Sequence, residues 1–295
     1  MKIQKLTKIF FISIITLLFT SCNILKNPVK ITDYVLIKTT HGDFVLGLYS
    51  FSEQHRKNFI SNVEKGIYDS TLFYSVIPNS AQKAGLKQGD EETVRLRENY
   101  QSNRGIKPEF HKKIINKRYT IGMWRLPDNE NPEQLSDPEI FYIVQGIKAD
   151  EKVLQTLESK RNAPVIADYM TVWLQKPENL IFKDSLDYYK TNGKNNEYLK
   201  LYGELSKNVI PLIEADGKKL FKLSDYQKKV YQNLGGIPIY DYNYTVFGEV
   251  LYGYETIEKI SSVKTKLNNK PVENIMILSA RIISKAEYKN LRNKK

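Results

Sequence analysis

Strand-like alternation stops near Lys148 and resumes near Gly235, with about 85 residues of helical spacing between. This interruption constrains the fold more than any other feature of the chain. The two β stretches have to build one discontinuous domain, which an insertion leaves intact when its two ends meet at one surface loop. Before the break, residues 35–39 are β-rich, His41-Gly42-Asp43 turns the chain, and Phe44, Leu46 and Leu48 alternate with Val45, Gly47 and Tyr49. Ser52 is placed to cap a helix carrying Phe59 and Val63 on one face, and Gly66 stops it. A strand follows over 72–77, ended by Pro78-Asn79, with further strands over 119–124, 140–144, 245–250 and 275–283. A helix fills 254–261. Inside the break, helical spacing covers 150–157, 163–174 and 195–213, and Ser224 to Gln227 reads as a capping box whose helix ends at Gly235-Gly236. The expected organisation is a leader over 1–21, a tether over 22–33, a sheet domain over 34–147 and 235–284, a helical insertion over 148–234, and a basic tail over 285–295.

The leader has a basic start at Lys2, Lys5 and Lys8, then twelve uncharged, mostly apolar residues from Ile9 to Thr20. Twelve residues make roughly 18 Å of helix, short of the ~30 Å of hydrocarbon in a bilayer. That is the layout of a secretory signal. Thr20 and Ser21 stand immediately before the only cysteine, Cys22, and this resembles a bacterial lipobox, which implies lipidation of Cys22. An uncleaved anchor, or an ordinary signal with a chance cysteine, is the other reading. Lipidation places the chain at the extracytoplasmic side of a bacterial envelope membrane.

One cysteine rules out an internal disulfide framework and any multi-cysteine metal centre. The three histidines, His41, His55 and His111, lie far apart and have no ligand spacing, so no metal site is expected. The net charge of +12 raises nucleic acid as a partner. The cations are mostly lysines scattered among Asn, Tyr and Ile, with no arginine stripe, so the reading is a solvated surface and no nucleic acid.

Several segments, in order, resemble cyclophilin-type peptidyl-prolyl isomerases. They are residues 37–46, Asn58-Phe59, and Gly66 through Asn79 with its core Phe73-Tyr74-Ser75-Val76-Ile77. Pro108-Glu109-Phe110, Thr120-Ile121-Gly122-Met123, residues 128–133 and Phe141-Tyr142-Ile143-Val144-Gln145-Gly146 follow. The match is strongest from Gly235 through Tyr240-Asp241-Tyr242-Asn243-Tyr244 to Val250, and runs on to Glu273. The order of Phe141 to Gly146, a helical insert and the Gly235-Gly236 segment resembles envelope members from Bacteroidetes-like bacteria. The resemblance implies a mainly β fold with an α insertion: a closed eight-stranded antiparallel barrel with two flanking helices. It also implies isomerisation of X–Pro bonds in unfolded or newly exported polypeptides, without a cofactor.

Such an isomerase lowers a barrier of about 18–20 kcal/mol that arises from amide resonance. It needs an apolar slot for the proline ring, donors for the flanking backbone, and a cation or donor aimed at the prolyl nitrogen. The resemblance assigns the last role to an arginine, and Ser75 stands at that position. A short neutral hydroxyl neither reaches nor carries charge as a guanidinium does. Peptide-binding positions carried over by the resemblance are Ser80, Lys83, Trp124, Arg125, Phe141, Tyr142, Tyr240 and Tyr244. Lys83 and Arg125 are the cations the register brings near the groove, able to substitute in part or merely solvated. The aromatics read equally as a surviving groove or as surface packing. Three functions stay open: a membrane-tethered isomerase with weak or no catalysis, a non-catalytic peptide-binding module, and an envelope interaction protein that uses the helical insert.

Overall fold

The computed structural model describes residues 30–294. The leader over 1–21 and Cys22 lie outside the described residues. Eight strands form one antiparallel sheet: β1 (Ile31–Thr39), β2 (Gly42–Tyr49), β3 (Leu72–Val76), β4 (Ala81–Leu86), β5 (Thr120–Met123), β6 (Phe141–Val144), β7 (Val246–Tyr252) and β8 (Ile277–Ile283). Their order across the sheet is β3-β4-β6-β5-β7-β2-β1-β8. The sheet curls, and its edge strands β3 and β8 approach at one end. Contact there is one bridge, Leu72 to Met276, with backbone bonds from Ser70 N to Ile277 O (2.9 Å), Ile277 N to Thr71 O (2.8 Å) and Phe73 N to Ile275 O (2.9 Å). This is a half-barrel with a short seam, where the sequence led to the expectation of full closure. The end of the segment expected to be a tether up to residue 33 is strand instead, because Ile31 pairs with Tyr49 and Asp33 with Leu48 at the start of β1.

Eight α-helices lie among the described residues: α1 (Glu53–Glu64), α2 (Glu92–Gln101), α3 (Glu151–Leu174), α4 (Leu180–Thr191), α5 (Asn195–Ala215), α6 (Asp225–Asn233), α7 (Tyr254–Ser261) and α8 (Lys285–Asn293). The chain divides into two compact units, Glu151–Ser224 and the remainder. In the sheet unit, α1 buries Phe59 and Val63 against the inner face of the sheet. The Phe59 ring lies 4.8 Å from Tyr68, 5.6 Å from Phe141 and 5.2 Å from Phe247. Ser52 does not cap α1: its hydroxyl donates to Val246 O at 2.8 Å. The orphan amides of the first turn go instead to the Glu109 carboxylate, from Gln54 N and His55 N at 3.1 Å each. His55, buried, bridges Glu109 (Nδ1 to Oε2, 2.6 Å) and Ser136 (Nε2 to Oγ, 2.9 Å). Burial opposes ionisation of Glu109, but the His55 ring and the two amides outweigh it and hold the carboxyl below its usual range.

In the helical unit, α3 is one helix of 24 residues running through Pro164, where helical spacing predicted two shorter ones. Met170, Leu186, Leu205, Val209 and Ile213 make a core from α3, α4 and α5. Asn162 pins the segment that follows α5 by exchanging two bonds with the Phe221 backbone, at 2.8 and 2.9 Å. The last helix of the expected insertion, α6, belongs to the sheet unit. Ala149 N donates to Tyr231 O at 3.2 Å and Gly236 N to Ile147 O at 3.2 Å, so the two crossing chain segments are bonded at their base. The expected basic tail is helix α8. The Ser284 hydroxyl caps it by accepting from Glu287 N at 3.1 Å, and Tyr288 stacks on Tyr34 with ring centroids 5.1 Å apart.

Candidate functional site

Strand pairing sets the site. Phe73, Ala84, Phe141 and Met123 are paired in a row across β3, β4, β6 and β5, and all four lie in the inner core. Side chains alternate between the two faces of a strand. The next row is therefore outward on β4, β6 and β5, with Lys83 opposite Tyr142 and Tyr142 opposite Gly122, and a register shift between Phe73 and Ser75 brings Ser75 opposite Lys83. Phe141 cannot share a groove with Tyr142, its chain neighbour. It is a core residue, which corrects its assignment as a peptide-binding position.

The Tyr142 ring lies flat over Gly122, where an added Cβ would stand 2.3 Å from the phenol oxygen. Trp124, two residues on, meets the Tyr142 ring edge-on at 5.9 Å and stacks on Tyr244 at 4.7 Å with planes 16° apart. Tyr240 closes the group, 5.6 Å from Tyr142, 4.7 Å from Tyr244 and 5.9 Å from Trp124. Four rings, from the residue after β5, from β6 and from the segment before β7, thus pack into one cluster with Ala81, Val144 and Ile237. Edge-to-face and offset contacts of this kind add about 0.5–1.5 kcal/mol each beyond burial. The Ser80 side chain lies near enough to the Tyr240 phenol to favour its charged form, and burial outweighs it. Burial, then the neighbouring Tyr240, pushes the Tyr244 phenol up to about 12. Burial also raises Tyr142 and Tyr240, so all three phenols stay neutral and offer uncharged hydroxyls and ring faces.

Both cations are already engaged. The buried Lys83 ammonium lies 2.5 and 2.8 Å from the Glu92 oxygens, 4.5 Å from the Trp124 ring centroid and 5.5 Å from that of Tyr74. Arg125 is buried and tied on every side: Nε donates to Asn243 O (2.6 Å), Nη1 to Leu126 O (2.9 Å), and Nη2 pairs with Asp128 (2.7 Å). Its guanidinium lies 5.1 Å from the Tyr244 ring. Ser75 is buried in the row beside Lys83. The structure thus brings Ser75, Ser80, Lys83, Trp124, Arg125, Tyr142, Tyr240 and Tyr244 together and leaves Phe141 on the opposite face.

A second layer escaped sequence reasoning. The Tyr142 hydroxyl donates to Asn116 Oδ1 at 2.6 Å. Asn116 donates in turn to Asp241 Oδ1 from N (2.9 Å) and Nδ2 (3.2 Å), while Tyr231 and Gln227 of α6 donate to Asp241 Oδ2 at 2.7 and 2.9 Å. Burial raises the Asp241 carboxyl although these donors favour its charge. Glu92 was missed too. No local pattern marks a partner lying one strand and a turn away, whereas Asp241, one residue past Tyr240, lay inside the matching motif.

The model of the family described as cyclophilin type peptidyl-prolyl cis-trans isomerase/CLD matches residues 34–150 and 230–282, more than half of the chain. A provisionally named peptidyl-prolyl cis-trans isomerase of Staphylococcus epidermidis is 23% identical over 246 residues, covering 83% of this chain and 89% of the relative. A similarly named chain of Staphylococcus saprophyticus is 38% identical over 55 residues, 19% of this chain and 28% of its own length. Among solved structures, a Cryptosporidium parvum cyclophilin type peptidyl-prolyl cis-trans isomerase aligns with a TM-score of 0.47 at 14% identity, covering 85% of this chain and 98% of that one.

Proposed function

This chain belongs to the cyclophilin-type peptidyl-prolyl cis-trans isomerase family, and we propose that it is a lipid-tethered envelope member whose isomerase activity is weak or lost. One observation carries the reading. Ser75 stands where the resemblance places a guanidinium, and the only nearby cations, Lys83 and Arg125 among the described residues, are neutralised by Glu92 and Asp128. Nothing charged is left to polarise a prolyl nitrogen, while the ring surface of Trp124, Tyr142, Tyr240 and Tyr244 persists. Removing one preorganised donor costs about 10²–10³ in rate. We read the curled sheet as a family barrel closed by the short β3–β8 seam. The ligands are proline-containing polypeptides on the extracytoplasmic side, reached from a lipid on Cys22.

The test is the protease-coupled assay on a proline tetrapeptide. The expected kcat/KM is at least ~100-fold below that of a family member with the arginine. A full rate that Lys83→Ala or Arg125→Ala abolishes would overturn the reading and make a relocated cation the catalyst. The intact ring cluster favours a second reading, a peptide-binding module without catalysis. It is tested by titrating proline peptides into the Trp173→Phe variant, in which Trp124 is the one remaining indole of the two in the chain. The tether is tested by detergent partitioning, which Cys22→Ser should abolish.

A further inference from the structure

We propose that the end of the sheet unit where β1 begins is a docking face for anionic phospholipid headgroups. The inference rests on the lipid-tether reading and deepens it: it says which side of the domain meets the membrane and why.

Seven residues lie between Cys22 and Lys30, the first described residue, so eight Cα-to-Cα steps join the two. Fully extended, they span at most about 29 Å. A lipid at Cys22 therefore keeps the start of β1 within that distance of the bilayer, and the surface around Lys30 faces it most often. Two cationic elements flank this point. On one side, Ser50 N donates to Lys30 O at 2.9 Å, and the next residue, Phe51, is 43% exposed. Its ring lies 4.7 Å from His111, which is followed by the exposed Lys112 and Lys113. On the other side is α8. Its Tyr288 and Leu291 share an apolar cluster with Ile31 and Tyr34 of β1, so the helix lies along the first strand. Lys285, Lys289 and Arg292 recur at spacings of four and three, which puts them on one helix face, and all three are exposed.

The carboxylates of this region are already taken. Asp33 pairs with Arg56 (2.7 Å), Glu53 with Lys57 (2.5 Å), Glu109 with His55 (2.6 Å), and Glu287 with Arg281. Lys30, Lys112, Lys113, Lys285, Lys289 and Arg292 form no ion pair with any described residue. Unpaired lysines and arginines around an exposed aromatic ring are the composition that sits at an anionic membrane interface. A lipid anchor alone fixes a distance and leaves orientation free. This face supplies the orientation, with each cation worth about fivefold in partitioning to an anionic surface.

The experiment uses the full lipidated chain in two kinds of vesicle, phosphatidylcholine alone and phosphatidylcholine with 30 mol % phosphatidylglycerol (roughly the anionic share that makes cation attraction measurable). A donor dye is placed on α8 through Asn290→Cys, or at the opposite end of β1 through Asn268→Cys, and an acceptor is carried on the headgroups. Flotation is measured in parallel. The expected result is energy transfer from Asn290→Cys that rises at least twofold with phosphatidylglycerol, falls back in high salt, and is lost in Lys285→Glu/Lys289→Glu/Arg292→Glu, while Asn268→Cys stays distant throughout. Equal transfer in the two vesicle types, or transfer that survives the triple reversal, overturns the proposal even if flotation persists. Failure to float on phosphatidylcholine refutes the lipid tether instead. The docking face then stands or falls on whether the chain floats on phosphatidylglycerol vesicles and the triple reversal releases it. Near-ultraviolet circular dichroism checks that the triple variant, changed only at exposed positions, keeps its fold.

Discussion

Placing a guanidinium at the serine with Ser75→Arg is the sharpest test of the proposal that the site has weak or no isomerase chemistry. Two bare unit charges ~4 Å apart near a protein surface repel by about 4 kcal/mol. Taken alone, that would cancel the ~3–4 kcal/mol a preorganised donor contributes to a transition state. The Lys83 charge, however, is not bare: Glu92 holds it at 2.5 and 2.8 Å. A new guanidinium on Ser75 meets a nearly neutral pair, so most of the repulsion disappears. What remains is bulk, because the Trp124 ring covers Lys83 and stacks on Tyr244. Ser75→Arg is therefore expected to raise kcat/KM about tenfold, and Ser75→Arg/Trp124→Ala about a hundredfold, short of the full 10²–10³ because the lost stack also loosens the rings. Adding Glu92→Gln to Ser75→Arg exposes the Lys83 charge and should erase the gain. The assay is protease-coupled isomerisation of a proline tetrapeptide, with peptide binding measured in parallel. A gain that survives Glu92→Gln would refute the charge argument. No gain in either arginine variant, with binding intact, would refute the idea that the arginine is what the site lacks.

Three other outcomes are expected. Gln82 is fully buried, its neighbours in register are the core residues Val76 and Ile143, and neither amide atom has a hydrogen-bond partner among the described residues. Gln82→Leu should thus stabilise the fold by about 1–3 kcal/mol, a rise of several degrees in Tm, and a fall in Tm would show that the amide is satisfied by a buried water. Glu109→Gln should cost about 0.5–2 kcal/mol at neutral pH through the weakened α1 cap. The folded Glu109 carboxyl sits below its usual range, so its contribution is present above the unfolded value near ~4.3 and lost as pH falls through the folded one; urea midpoints of variant and parent should converge in acid. Deleting Glu151–Ser224 and joining the ends with a short Gly/Ser linker should leave a cooperatively unfolding sheet unit, since the crossing segments are already bonded at Ala149 and Tyr231. Loss of the cooperative transition would place the helical unit in the core.

The strands that carry their own signal were legible, and those that borrow it were not. β1, β2, β7 and β8 are rich in apolar and β-branched residues, and the sequence locates them. β4 reads Ala-Gln-Lys-Ala-Gly-Leu, with little β propensity, and is a strand because β3 and β6 pair with it on both sides. Ser52 has the right chemistry for a cap, but Glu109 reaches the first-turn amides from 55 residues away, and the serine serves β7 instead. α3 runs through Pro164 because its packing in the helical core outweighs one missing donor. Phe141 was misplaced although strand alternation alone forbids it from sharing a face with Tyr142.

The site's chemistry follows from how one outward row was rebuilt. In that row Ser75 is small, Lys83 is long, Tyr142 is flat, and Gly122 has no side chain. With nothing on Gly122, the Tyr142 ring can lie across β5, and Asn116 fixes its hydroxyl through the buried Asp241. Trp124 then packs over the space left above Lys83 and Tyr142. A cation inside such a ring cluster is stable only if its charge is answered, and Glu92 at the start of α2 answers it. Once answered, the charge cannot polarise a prolyl nitrogen. On the proposed reading, the absence of an arginine at position 75 and the ring cluster are two sides of one exchange, in which electrostatic work on the amide is traded for apolar contact with a peptide. The exchange makes the direction of reversal specific. Charge has to return on β3, where Ser75 faces an ion pair already balanced, because freeing Lys83 itself would leave Glu92 partly buried without its partner.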